Sequence, residues 1–310
     1  MDHPEDLTAF LLPPHVDALV QAILQIVPFH KKELLKTLTL LQKEELAELD
    51  NYLVYSKEQG RSIEFMAESY KTIMSSVIME TMYFQEHKKY RYSRFAEVAD
   101  SVYYNEEYMS QYMHGVLISL FFWPNHLKLY RFFCTTLPKN KTGDYLEIGP
   151  GHGYFFKAAV EQSNYQRFFG IDLSETSIQQ TKNLLDITHP EQSNIHLYCS
   201  DFFAYPFQEQ SFDAIVMGEV LEHVENPQDF LKKIALLAKK DAYIFVTTCL
   251  FAPIIDHIYE FHDLGEIETL FLECGLKIKE SCILPYVDKT LEECLKQLLT
   301  INVGYVLEKR

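Results

Sequence analysis

Tyr145-Leu146-Glu147-Ile148-Gly149-Pro150-Gly151-His152-Gly153-Tyr154-Phe155 reads as a hydrophobic strand that carries an acid, then three glycines at every second position, then the start of a helix. Glycine lets the chain turn tightly and lets a ligand approach the backbone closely. The helix start adds N–H groups that have no partner inside the helix. A glycine-rich strand-to-helix turn of this kind marks an α/β fold with a ligand at the turn. The nicotinamide-dinucleotide fingerprint is G-x-G-x-x-G. Here the spacing is G-x-G-x-G, and Tyr154 stands where the third fingerprint glycine would be.

Working outward from that turn, strands and helices alternate. Strands are expected over 144–149, 167–172, 195–199, 212–218, 242–249, 276–282 and 302–308. Helices are expected over 152–162, 175–186, 227–239, 264–274 and 291–299. Such alternation implies a mostly parallel sheet with helices on both faces and an antiparallel last strand. Ligands of these sheets bind beyond the carboxyl ends of the strands, where the strand order reverses. Upstream the character changes. Leu34, Leu35, Leu38, Leu41, Leu46 and Leu49 recur at helical spacing, and Met66, Tyr70, Ile73, Met74 and Val77 repeat the pattern. The polar punctuation Pro138-Lys139-Asn140-Lys141-Thr142-Gly143 separates the two. The expectation is an α-helical region over 1–138, serving as lid, substrate wall and dimer surface, and a Rossmann-like domain over 139–310.

Composition narrows the function classes. The 310 residues carry 28 Lys plus Arg against 44 Asp plus Glu, a net charge of −16. That argues against nucleic-acid phosphate as the partner. The basic run His87–Arg94 reads as a solvated helix end. The six cysteines contain no C-x-x-C pair and fit a reduced, cytoplasmic protein. Met1–Asp6 is acidic, unlike a signal peptide. The apolar run Gly115–Trp123 is far shorter than the roughly 20 residues of a membrane span.

Three further segments fall in order behind the glycine turn. Phe168-Phe169-Gly170-Ile171-Asp172-Leu173-Ser174 ends a strand on an acid about twenty residues past the turn, where a carboxylate accepts ribose hydroxyls. In Tyr198-Cys199-Ser200-Asp201-Phe202-Phe203, an acid and an aromatic ring suit an adenine. Phe212-Asp213-Ala214-Ile215-Val216-Met217-Gly218-Glu219-Val220-Leu221-Glu222-His223-Val224 ends its strand on the other side of the crevice. Each acid alone reads as readily as a helix cap or turn residue. Glu147, two residues before the first glycine, would repel a pyrophosphate but suits a cationic cofactor.

LEIGPGHG, GIDLSETSI, SDFFAYPF and FDAIVMGEVLEHVENP resemble the four motifs of class I S-adenosylmethionine (SAM)-dependent methyltransferases, in the style of the small-molecule, ubiquinone-biosynthesis-type branch. The resemblance is strong over about residues 143–250. It implies SAM as cofactor, lined by Glu147, Gly149, Gly151 and Gly153. It further implies ribose contacts from Asp172 and Leu173, adenine contacts from Asp201 and Phe202, and Gly218, Glu219 and His223 near the amino-acid end. It implies methyl transfer to a small organic acceptor. The helical cap suggests specialised metabolism, by analogy alone.

For the acceptor side, the expected general bases are His257 and His262, in the histidine- and acid-rich stretch Ala252–Asp263 after the fifth strand. Tyr104, Tyr108 and Tyr112, spaced by four, with His126, are expected substrate contacts. No tight ligand set points to a metal. The competing readings are an NAD-dependent dehydrogenase, an aminopropyltransferase using decarboxylated SAM, and a non-catalytic SAM-binding partner protein. The expected state is a cytoplasmic enzyme, a possible homodimer, with no membrane or nucleic-acid partner.

Overall fold

The computed structural model describes Leu7 and residues 10–189 and 191–310. The acidic Met1–Asp6 stretch, read above as unlike a signal peptide, lies outside the described residues. No helix among the described residues is long and apolar enough to cross a membrane.

The chain forms two compact units. One takes the described residues up to Ser76 together with Ser110–Lys128. It contains α1 (Pro14–Ile26), α2 (Lys31–Leu38), α3 (Lys43–Glu58), the first half of α4 (Ile63–His87) and most of α5 (Glu106–Phe122). Leucines at helical spacing bury Leu34, Leu35, Leu38, Leu49 and Leu53. A polar chain centred on the buried Tyr70 runs through it: the half-buried Trp123 indole donates to the Tyr70 hydroxyl at 2.9 Å, which lies 2.8 Å from Nε2 of the half-buried His30. The α4 and α5 backbones approach so closely that a Cβ on Gly115 would sit 2.3 Å from the Ser69 carbonyl oxygen.

The other unit comprises Val77–Met109 and Leu129–Arg310. It includes the end of α6 (Pro124–Thr136) and a seven-stranded sheet. The strands are β1 (Asp144–Ile148), β2 (Arg167–Asp172), β3 (Ile195–Cys199), β4 (Phe212–Gly218), β5 (Ala238–Leu250), β6 (Leu276–Leu284) and β7 (Ile301–Lys309). Between them lie α7 (Tyr154–Gln162), α8 (Glu175–Thr188), α9 (Pro227–Leu237), α10 (Leu264–Glu273) and α11 (Leu291–Gln297). The order is β3-β2-β1-β4-β5-β7-β6, with β7 antiparallel to both neighbours. Strand β1 is buried along its whole length, as a central parallel strand covered on both faces must be. The core gathers Leu146, Ile148, Ile215, Met217, Ile244 and Val246 with Phe84 and Tyr90 from the segment preceding α5.

The strand order reverses between β1 and β4, so the crevice for a ligand opens above their carboxyl ends. The turns that leave these strands touch: a Cβ on Gly149 would meet Val220 Cγ2 at 2.7 Å.

Candidate cofactor and acceptor site

The turn after β1 is built from left-handed glycines, with φ of +67° at Gly149, +53° at Gly151 and +83° at Gly153. A side chain at Gly153 would also press on Thr181 and Leu184 of α8, so only glycine suits that position. The turn is pinned on both sides. Gly149 N–H donates to the Ile171 carbonyl at 2.8 Å, and Thr181 Oγ1 donates to the Gly151 carbonyl at 3.1 Å. At the end of β2, Asp172 accepts from Ser174 N at 2.8 Å and from Gly151 N at 3.3 Å. Burial pushes its carboxyl up to about 6, against the pull of these amides.

Glu147 sits in β1 on the same face as Tyr145, whose hydroxyl donates to it. It is buried, and burial pushes its carboxyl up to about 8. Leu173 is exposed. Asp201 accepts from Phe203 N at 2.7 Å, a side-chain-closed turn, while Phe202 is buried against Phe230 at a ring separation of 5.6 Å. Gly218 ends β4. Glu219 follows in a left-handed conformation at φ +50°, its N–H donating to Thr247 Oγ1 at 3.0 Å. Its Oε1 is buried without a hydrogen-bond partner among the described residues, and burial beside Glu222 raises its carboxyl well above the ordinary range.

Beyond Glu219 the turns after β4 and β5 close on each other. Backbone N–H groups of Ile258 and Tyr259 donate to the Glu222 carbonyl at 2.8 and 3.0 Å. Thr248 Oγ1 donates to Glu222 Oε2 at 2.7 Å, and the Cys249 thiol lies 3.7 Å from Glu222 Oε1 and 3.8 Å from His257 Nδ1. His223 and His257 meet edge to face at 4.6 Å. Their surroundings drive them apart. Burial, reinforced by His223, lowers His257 to about 4. Burial opposes charge on His223 too, but Asp256 outweighs it and lifts His223 to about 9.

The structure therefore brings His223 and His257 together with Glu219. His262 is exposed instead; it pairs with Glu266 at 3.6 Å near the start of α10. Tyr104 lies in the turn before α5 and is exposed, so the four-residue tyrosine repeat is helical only from Tyr108. Tyr112 is buried in the helical unit, where Ser119 Oγ and His126 Nδ1 are 2.9 Å apart. Sequence reasoning did not single out Tyr103, Cys249 and Asp256 as site residues. Asp256 was adjacent to a chosen histidine, Cys249 ended a strand at the crevice, and Tyr103 opened the tyrosine-rich substrate-side stretch but fell outside the four-residue repeat that was chosen. Among the described residues, ligand atoms of Glu222, His223 and His257 lie within 4.8 Å of one another, as do those of Glu219, Glu222 and Cys249. Carboxylate, imidazole and thiol donors so grouped are what a borderline divalent cation uses. No metal was expected from the sequence, because these donors meet only in the fold.

Residues 146–246 match the family described as methyltransferase domain. Over 105 residues the chain is 34% identical to ubiquinone biosynthesis O-methyltransferase of Coxiella burnetii, covering 33% of this chain and 42% of that protein. Over 103 residues it is 30% identical to N-methyltransferase 4 of Papaver somniferum, covering 33% of this chain and 28% of that protein. The chain thus spans less than half the length of these relatives. Two solved structures share the fold. One is the complex of the Haloferax volcanii Trm112 methyltransferase activator with a methyltransferase (TM-score 0.52, 15% identity, 67% of this chain and 98% of that one). The other is Haemonchus contortus phosphoethanolamine N-methyltransferase 2 with phosphomonomethylethanolamine and S-adenosylhomocysteine (TM-score 0.52, 14% identity, 70% of this chain and 60% of that one). Residues 146–246 thus resemble a methyltransferase domain, and the sheet that carries them has the fold of these two solved structures.

Proposed function

We propose that this protein transfers the methyl group of SAM to a small organic acceptor. The observation that carries the reading is the left-handed triple-glycine turn at the β1/β4 reversal, with the Asp172 carboxylate within reach of Gly151 N–H. In this reading Gly149, Gly151 and Gly153 give the cofactor room along the backbone. Asp172 accepts its ribose hydroxyls beside Leu173, and Glu147 and Glu219 answer its positive charges. Asp201 and Phe202 edge the adenine. Bound SAM supplies an electrophilic methyl group. The chain's task is to hold an acceptor atom in line with it and keep water away.

The acceptor corner is the region of Glu222, His223, Cys249 and His257, roofed by Tyr90 and Tyr103. There His257, kept neutral by burial, and His223, kept charged beside Asp256, form a pair with opposite tendencies. Such a pair divides proton acceptance from hydrogen-bond donation. His262, exposed on its loop, is the weaker candidate for the base. A roof of aromatic side chains suits an organic acceptor of specialised metabolism.

The test is incubation of the purified chain with methyl-labelled SAM and fractionated cell extract. One labelled small molecule, formed together with S-adenosylhomocysteine (SAH), is the expected result. SAM and SAH binding with no labelled product from any extract would point instead to a non-catalytic binding protein.

A further inference from the structure

The segment 77–109 belongs to the same compact unit as the sheet and is tied to the loops after β4 and β5 by named contacts. Ala252 N–H donates to the Tyr90 hydroxyl at 2.9 Å, and Phe95 N–H donates to Glu225 Oε1 at 3.0 Å. The third tie reaches into the acceptor corner. The Tyr103 hydroxyl, at the end of a one-turn π-helix over Ala99–Tyr103, lies 3.1 Å from His223 Nδ1 and 3.3 Å from Asp256 Oδ2.

These contacts leave His223 one consistent arrangement. Its Nδ1 is 3.0 Å from the Asp256 carbonyl oxygen and 3.2 Å from Asp256 Oδ2. Both oxygens only accept, so Nδ1 must carry a hydrogen. A nitrogen that donates cannot also receive the Tyr103 hydrogen. That hydrogen therefore goes to Asp256 Oδ2, and the phenol oxygen stands by as a further acceptor near Nδ1–H. Asp256 is almost fully buried, so rotation away from this pair would strand a carboxylate in the interior.

We propose that Tyr103 and Asp256 are positioning residues that commit His223 Nδ1 to the protein and present Nε2 as the ring's only ligand-facing atom in the acceptor corner. The logic is that of a carboxylate orienting an imidazole through its far nitrogen. Tyr103 acts through Asp256: it fixes the carboxylate rotamer and leaves the ring edge-on to His257. The groups around the ring are Tyr103, Asp256, Glu222 and His257, with the carboxyls of Asp172 and Glu219 nearby. The part of this role that concerns acceptor chemistry rests on the methyltransferase reading; the hydrogen-bond arrangement does not.

The experiment is proton–nitrogen NMR on protein labelled with ¹⁵N-histidine and saturated with SAH, with His223→Gln assigning the resonance. Wild type is expected to show a downfield, exchange-protected Hδ1 on His223. Asp256→Asn, which keeps the backbone carbonyl as acceptor but removes the carboxylate charge, should move it upfield and speed its exchange. Tyr103→Phe, which keeps the ring and fills the same space, should retain it with faster exchange. In parallel, transfer of labelled methyl to the extract fraction that wild type labels should fall about 10- to 100-fold in each variant, with SAH affinity by calorimetry within about twofold, as expected of a group that bears on the acceptor rather than the cofactor. A wild-type His223 protonated on Nε2 alone overturns the proposal, as does wild-type transfer by both variants. If Asp256→Asn fails to fold, Tyr103→Phe decides. A wild type that ignores SAH would sink the methyltransferase reading, and the spectrum of the free protein would still decide the Nδ1 arrangement.

Discussion

Glu147 links proton release to cofactor binding in a way that calorimetry can count. In the free protein its carboxyl is pushed up to about 8 by burial, with the Tyr145 hydroxyl as its hydrogen-bond donor. At pH 7, one unit below, the protonated form outweighs the ionised one about tenfold, so roughly 0.9 of a proton is held. In the proposed complex Glu147 answers the positive charge of the cofactor and is ionised. Glu147 should therefore contribute about 0.9 proton to the release at pH 7, and its share of the affinity should rise nearly tenfold per pH unit up to about 8 before levelling. The sign follows from the raised value: the free site holds the proton and the occupied site gives it up. Titrating SAM in buffers of different ionisation enthalpy at pH 7 reads the number directly. Glu147→Gln has no proton to release at this position, so its binding should release about 0.9 proton fewer than wild type at pH 7. It should also bind about 1.5–3 kcal/mol more weakly, the worth of a hydrogen bond to a charged partner. Buffer-independent binding by wild type, or equal affinity in the variant, would refute the placing of Glu147 against cofactor charge.

Asp172 adds a second pH limb. Its carboxyl sits at about 6, so SAM affinity should weaken as pH falls through that value, and Asp172→Asn should bind weakly at every pH. Gly153→Ala combines a left-handed φ, costing about 1–2 kcal/mol, with overlap on Thr181, costing about 1–3 kcal/mol more; urea unfolding should show that loss, and an unchanged midpoint would contradict the turn geometry. His257→Ala should lower methyl transfer more than His262→Ala, because His257 lies in the Glu222–His223 corner and His262 is exposed beside Glu266; the reverse ranking in the labelled-SAM assay would move the chemistry to the loop.

The sheet was legible because its signals are local. The strands over 167–172, 195–199 and 212–218 are bounded to the residue by largely apolar runs that end at Asp172, Cys199 and Gly218. Strand β5 begins four residues earlier than expected, because Ala238–Asp241 extend it past a register shift beside Phe212–Ala214. The cofactor turn was equally readable, since its glycines are contiguous in sequence. The acceptor corner was not. Its members come from three separate segments, at 103, 219–223 and 249–257, and only the fold gathers them. His262 and His257 looked equivalent in sequence, five residues apart; burial against Glu222 and Cys249 distinguishes them. The tyrosine repeat from Tyr104 misled in the same way. Spacing by four implies a shared helical face only inside a helix, and α5 starts at Glu106.

Equilibrium dialysis of the purified chain against labelled SAM, with SAH and NAD⁺ as competitors, bears most directly on the central claim. The geometry of the Gly149–Gly153 turn beside Glu147 and Asp172 predicts one saturable site, emptied by SAH and untouched by NAD⁺. No SAM retained at millimolar concentration, or displacement by NAD⁺ alone, would contradict it.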